Sequence, residues 1–140
     1  MGCSYYARVV FGVRLTREAL TPMAKVPGCQ HEKPSDAKFC PECGKPAFEE
    51  LRRPIEGYEQ STERYKGWYV YSFGGDYEWV VIGKLVSELR LCGYKDQLQH
   101  PLPDVGHLER IADEVTKSLQ CDPLVKHPSD LAFWHVMDVS

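Results

Sequence analysis

From Tyr5 to Leu15 the chain alternates almost strictly. Tyr5, Ala7, Val9, Phe11, Val13 and Leu15 fall on one face, and Tyr6, Arg8, Val10, Gly12 and Arg14 on the other. Period two, carried by β-branched and aromatic residues, predicts a long half-buried strand. Thr16 is placed to cap a short helical turn over residues 17–20, which Pro22 closes. Periodicity then lapses until Trp68-Tyr69-Val70-Tyr71-Ser72-Phe73, a second strand. Gly74-Gly75-Asp76 supplies turn chemistry, and residues 77–86 form the returning arm of a hairpin. Trp79-Val80-Val81-Ile82 is continuous rather than alternating, as in a strand buried on both faces in the middle of a sheet. Gly83 marks a bulge or a close backbone approach there.

The period changes further on. Val86, Leu89 and Cys92 have helical spacing with Gly93 as a stop, which predicts a short helix over residues 86–94. The clearest helix has Leu108, Ile111, Ala112, Val115 and Leu119 on one face, Asp104 at its N-cap and Asp122-Pro123 beyond its end. Residues 131–140 return to strand character, with Leu131, Phe133, Met137 and Val139 on one face. An extended apolar segment of this kind is expected to join the sheet. Residues 49–66, rich in charge and turn residues, read as a surface connection with room for a short irregular strand.

Between these elements lies a stretch with different chemistry. Gly28-Cys29-Gln30-His31 is followed after eight residues by Cys40-Pro41-Glu42-Cys43-Gly44-Lys45. Residues 27–48 are polar, carry Pro34, Pro41 and Pro46, and have too few large apolar groups to fold by burial. A bound ion would supply the missing stabilisation. Cys29, His31, Cys40 and Cys43 are the candidate metal ligands. Sulfur and imidazole suit a tetrahedral Zn²⁺, and four protein ligands leave no vacant position for a substrate, so the expected zinc is structural. Cys-x-x-Cys as a redox pair is the bland alternative. It lacks a βαβ context and does not account for the Cys/His pair just upstream.

Cys40-Pro41-Glu42-Cys43-Gly44-Lys45 resembles one knuckle of a zinc ribbon, in which backbone N–H groups point at two thiolates and a glycine closes the turn. The first pair departs from that pattern by having one intervening residue rather than two to four. The resemblance covers about twenty residues and implies a module, not a whole-chain family. In size and style the chain is similar to small zinc-bearing accessory proteins of bacterial or phage type.

Composition narrows the class further. Of 140 residues, 43 % are apolar and 26 % charged, which is globular rather than disordered and enough for one core. No apolar run approaches the ~18 residues of a membrane span, and the first residues lack a signal peptide's pattern. Met1-Gly2-Cys3 raises N-terminal acylation, but Tyr6 stands where the motif wants Ser or Thr. Three of the six cysteines fall in the metal stretch, while Cys3, Cys92 and Cys121 are scattered, as expected of a reducing, cytoplasmic protein.

The remaining chemistry is sparse. His100, His107, His127 and His135 have no nucleophile assigned to them by the sequence, and no phosphate loop, dinucleotide fingerprint or nucleophile elbow occurs. The reading therefore leans away from an enzyme. Tyr58, Tyr65, Trp68, Tyr69, Tyr71, Tyr77 and Trp79, beside Arg64 and Lys66, suggest either core and protein interface or a stacking platform for single-stranded nucleic acid. Charge disfavours the latter: the net charge is −3, and residues 27–53 carry five basic (Lys33, Lys38, Lys45, Arg52, Arg53) and five acidic side chains.

The expected protein is a single α+β domain over residues 1–140. It has a mainly antiparallel sheet of four to five strands, one main helix and a zinc-ribbon-like insertion at 27–48. Its expected role is a protein-interaction or regulatory module, with pairing of two copies through a sheet edge compatible. Nucleic-acid binding near the zinc loop is the alternative.

Overall fold

A computed structural model describes residues 5–91 and 102–139. The fold is α+β. Strand β1 (Tyr5–Thr16) is followed by β2 (Met23–Pro27), β3 (Phe48–Arg52), β4 (Tyr58–Glu59), β5 (Arg64–Tyr65), β6 (Trp68–Phe73) and β7 (Trp79–Leu91). Helix α1 (Val105–Leu119) and strand β8 (Leu131–Val139) complete it. Six strands form one sheet in the order β4-β5-β6-β7-β1-β8, and β2 and β3 form a separate two-stranded ribbon. Every pairing is antiparallel. The sheet is thus wider than the four to five strands expected. The additional strands β4 and β5 are two residues each, too short for period two to register.

β1 and β7 pair along their whole length, from Tyr5 opposite Leu91 to Thr16 opposite Trp79, with one register shift between Val9 and Val10. This overturns the helix expected over 86–94. Residues 86–91 are strand, because the first half of β1 is an extended ladder whose N–H and C=O groups need a partner. Long-range pairing outweighs the weak helical spacing of Val86 and Leu89. Residues 92–94 lie outside the described part. Val80, Val81 and Ile82 are fully buried, as a doubly covered strand requires, while Trp79 at the strand's start is partly exposed.

The sheet has two cores. On one face Ile111, Val115 and Leu119 of α1 pack on Phe11, Val13, Val70, Val80 and Ile82, with Tyr58 and Tyr65 from the short strands. Asp104 caps the helix as expected, accepting the His107 N–H at 2.9 Å. On the other face Val10, Val81 and Val136 are fully buried among Tyr71, Phe73, Leu85 and Trp134. That second core exists because the sheet curls, bringing β6 and β8 together although two strands separate them. Gly12 and Gly83 sit opposite each other at the bend. A Cβ on either would strike the facing backbone carbonyl, of Ile82 or Phe11, so the expected close approach is real. The indole Nε1 of Trp134 donates to the Gly12 carbonyl at 2.9 Å across this bend.

β8 joins the sheet beside β1 as expected, with its most buried residue on the face away from Phe133 and Met137. Phe133 and Met137 are each 45 % exposed, and the fully buried residue is Val136 on the opposite face. β8 is the sheet's edge, and α1 lies over β1 and β7 instead. The helical turn after β1 forms at Arg17–Ala19, yet Thr16 makes no side-chain capping bond. The Arg17 N–H donates instead to the Glu78 carbonyl at 2.7 Å, tying the turn to the start of β7.

The ribbon departs from this body and returns at one place. Ile55 N–H donates to the Leu20 carbonyl and Arg53 N–H to that of Pro22, which closes the neck. Beyond it, β2 and β3 pair only with each other and are mostly exposed. Residues 28–47 form the far end.

Candidate metal centre

The hairpin β2–β3 carries the ligand-bearing segment at its tip. Gly28 N–H donates to Ala47 O at 2.9 Å and Ala47 N–H to Lys38 O at 3.0 Å, so the two arms of the tip are cross-linked before any ion is considered. Phe39 and Pro46 bridge, and Cys40 N–H donates to Lys45 O at 2.8 Å. Gly44 N–H returns to Cys40 O at 2.9 Å with φ of 73°, a left-handed conformation that glycine adopts without cost. This is a tight knuckle holding Cys40 and Cys43 on one side of a turn. Cys29 and His31 come from the strand's exit directly opposite.

One ligand atom from each of Cys29, His31, Cys40 and Cys43 lies within 4.8 Å of the other three. Among the described residues this is the one group of three or more Cys, His, Asp or Glu side chains able to hold a metal ion. The best-defined edge is Cys40 Sγ to His31 Nδ1, at 3.6 Å. A tetrahedral zinc with Zn–S near 2.3 Å and Zn–N near 2.0 Å puts those two atoms about 3.5 Å apart. The edge therefore fits a four-coordinate ion bound through Nδ1. Cys40 is buried, Cys29 half-buried, and Cys43 and His31 exposed, so the cluster sits at the surface of the tip.

The electrostatics favour the thiolate at two of the three cysteines. Cys29 is pushed down to about 6, chiefly by the His31 backbone N–H and further by the Lys33 ammonium, against its partial desolvation. Cys40 is lowered by the backbone N–H groups of Cys43 and Glu42, the donor pattern of a knuckle. Cys43 receives the Lys45 N–H, but desolvation and the neighbouring Cys40 and Cys29 sulfurs outweigh it and its pKa rises. Three sulfurs at one point repel one another as anions, and a cation between them removes that conflict. His31 is raised by its contacts with the Cys29 and Cys40 sulfurs. Four protein ligands fill a tetrahedral ion, so the arrangement can anchor a metal but presents no open coordination position for chemistry.

Two neighbours were not legible as part of this site. Lys33 donates to Cys29 Sγ at 3.2 Å and to the carbonyls of Cys29 and His31, both at 3.1 Å. Glu42 brings Oε2 to 3.4 Å from His31 Nε2. Each stands within two residues of a ligand, and that proximity was the one available signal.

The other sequence candidates separate. Tyr58 and Tyr65 are buried in the helix-side core, and Trp68 donates its indole N–H to Ser118 on α1 at 2.9 Å. Tyr69 is 50 % exposed, with the Arg64 guanidinium 4.3 Å from its ring centre, while Arg14 lies between Trp79 and Trp134, at 5.1 and 4.8 Å. His107 is exposed at the first turn of α1. His127 donates its backbone N–H to Asp130 at 3.0 Å in a local cap, and His135 is exposed on β8. Cys121 is exposed, and Cys3, Cys92 and His100 lie outside the described residues.

One buried polar centre went unanticipated. Asp122, just past α1, accepts from Tyr65 Oη, Lys66 Nζ and the Leu124 N–H at 2.9–3.0 Å, and so pins the end of the helix to β5. All its partners are protein groups, which makes it a clamp.

Fold and site together define a class: an α+β protein with a curled antiparallel sheet and a projecting hairpin whose cysteine–histidine cluster is able to hold a metal ion. Compared with known proteins, the chain matches no family model, no curated protein and no solved structure. Among the described residues no helix is long and apolar enough to cross a membrane.

Proposed function

We propose that Cys29, His31, Cys40 and Cys43 bind one structural Zn²⁺, and that the hairpin they fasten is a zinc-ribbon-like arm by which a non-enzymatic protein docks on a protein partner. The observation that carries this reading is the convergence of four ligand atoms at the tip of an arm with no hydrophobic core of its own. An arm that cannot fold by burial is held in one shape by its metal. A shaped arm projecting from a stable body is a binding element. Its exposed apolar side chains support the same reading: Phe39 is 64 % exposed beside Cys40, and Met23 and Leu51 are exposed on the strands.

Charge separates this from nucleic-acid binding. Of the basic residues near the zinc loop, Lys33 is occupied by the ligand segment, and Arg52 donates to the Thr21 carbonyl and to Glu18. What favours the second reading is a different place, the exposed Tyr69 and Trp79 with Arg64 and Arg14 against them.

Metal analysis of freshly purified protein should find about one zinc per chain, and Cys43→Ser should lower it; protein that folds without stoichiometric metal would overturn the assignment. For the partner, a salt-titrated binding assay with single- and double-stranded probes decides between readings. Affinity that falls steeply with salt moves the assignment to nucleic acid. No binding to either probe, together with loss of a co-purifying protein in a zinc-loaded Phe39→Ser variant, supports the arm.

A further inference from the structure

The ligand cluster has a second layer. Lys33 and Glu42 reach it from opposite halves of the segment, Lys33 from the Cys29/His31 side and Glu42 from within the knuckle. The Lys33 ammonium contacts the Cys29 sulfur at 3.2 Å while gripping the carbonyls of Cys29 and His31 at 3.1 Å, so one cation fixes both members of the first ligand pair. Glu42 places its carboxylate 3.4 Å from the Nε2 of His31, the ring nitrogen that does not face Cys40.

We propose that Lys33 and Glu42 are positioning residues of the metal centre: Lys33 neutralises its residual charge through the Cys29 sulfur, and Glu42 orients His31 so that Nδ1 faces the ion. This rests on the metal-binding reading above. Three thiolates and a neutral imidazole around a divalent ion leave one negative charge, and the ammonium supplies its counterpart at hydrogen-bond distance. A carboxylate accepting from the far nitrogen fixes the ring and raises the basicity of the ligating one. Glu42 stands at ion-pair distance from that nitrogen, 3.4 Å, across the gap between the two ligand pairs, and closing to hydrogen-bond distance there would link them independently of the ion. The weaker of the two is Glu42, because an exposed charge pair contributes little by itself. Its contribution rises once Nε2–H is polarised by a metal on the same ring.

Competition with a chromophoric chelator measures the affinity for Zn²⁺, and the absorption of the Co²⁺-loaded protein reports the sulfur environment. Outer-layer partners typically change metal affinity about 10–100-fold. Lys33→Met should weaken zinc binding about 10-fold, at the low end because the site is at the surface, and Lys33→Arg should restore most of it. Lys33→Met should also move the sulfur-to-cobalt charge-transfer band, since a sulfur without its N–H donor gives up electrons more readily; a loosened loop alone would not move it. Glu42→Gln should weaken binding by a smaller factor, about threefold. If all three variants bind zinc within about a factor of two of the parent and the cobalt band stays in place, the outer layer has no role, although the metal site stands. If the parent chain itself takes up neither ion, both this assignment and the reading it rests on fall.

Discussion

The body of this protein is ordered by burial, and its arm has almost none to order it. In the body, β1 and β7 share twelve paired positions, and Val10, Phe11, Val13, Val81 and Ile82 at their centre are buried on one face or the other. In the arm, five residues pair with five, mostly exposed and none buried, and the tip beyond them is turn upon turn. Area removed from water stabilises the first at about 25 cal/mol per Å². The second has almost no such area, and its candidate stabiliser is a point: four ligand atoms within 4.8 Å of one another. A region held by burial responds in proportion to the atoms removed, whereas a region held by coordination is lost or kept as a whole.

The largest effect expected from that contrast is metal removal. Structural zinc in small modules contributes roughly 10–16 kcal/mol of apparent binding energy, which is folding energy for the segment that supplies the ligands. Excess chelator should therefore abolish hydrogen-exchange protection at the amides of Cys40, Gly44 and Ala47 while leaving those of β1 and β7 protected. Loss of protection throughout the sheet would mean that arm and body fold as one unit.

The reverse experiment is smaller. Ile82→Ala opens a cavity between α1 and the sheet and should cost about 3–4 kcal/mol in chemical denaturation, with zinc affinity of the folded protein unchanged. A parallel fall in zinc affinity would erase the distinction between the two regions.

Asp122→Asn probes the body's own polar fastening and should cost about 1–3 kcal/mol, because the Lys66 ammonium and Tyr65 hydroxyl lose a charged acceptor at a site 8 % exposed. Burial raises the Asp122 pKa, but the Leu124 N–H, Lys66 and Tyr65 together hold it below the ordinary carboxylate value. A carboxyl depressed on folding contributes stability that is fully present above its unfolded pKa, near 3.9, and is lost as pH falls through the folded one. Stability of the parent chain should thus decline below about pH 4, and the variant should show a shallower acid limb. Equal acid limbs would remove Asp122 from the account.

The smallest effect belongs to the surface. Arg8 and Glu88 form a 2.6 Å pair across β1 and β7, and Glu88→Gln should change stability by no more than about 0.5 kcal/mol, since exposed pairs are screened and entropically costly. A larger loss would show that charge, and not burial alone, sets the register of these two strands.

How much of this was legible in the sequence follows the same division. β1, β6 and α1 announce themselves because their signals are local: alternation over eleven residues, a run of aromatic and β-branched residues, five apolar positions at helical spacing behind an Asp cap. The ligand set is legible for a related reason, since sulfur and imidazole at close spacing state their chemistry without reference to the rest of the chain. The strand fate of residues 86–91 was not legible. Val86 and Leu89 satisfy a helical spacing as well as a strand, and only the unpaired half of β1 decides between them. The sequence left open whether Tyr58 and Tyr65 are core or surface, because two-residue strands carry no period, and their burial depends on where α1 comes to rest.

By itself, then, the sequence determined that β1, β6, the start of β7 and β8 extend, that α1 coils, and which four side chains are candidates for a metal. Those properties follow from backbone preference and side-chain chemistry within a few residues. The tertiary structure alone decided that β8 lies beside β1, that the sheet bends at Gly12 and Gly83 to enclose a second core, and that Asp122 meets Lys66 across fifty-six positions of chain. It also decided that Lys33 reaches the Cys29 sulfur and that Glu42 comes within 3.4 Å of His31. These are contacts between residues that do not constrain one another until the chain has closed on itself. Their selection is a property of the whole fold, because each depends on burial and pairing that no local stretch contains.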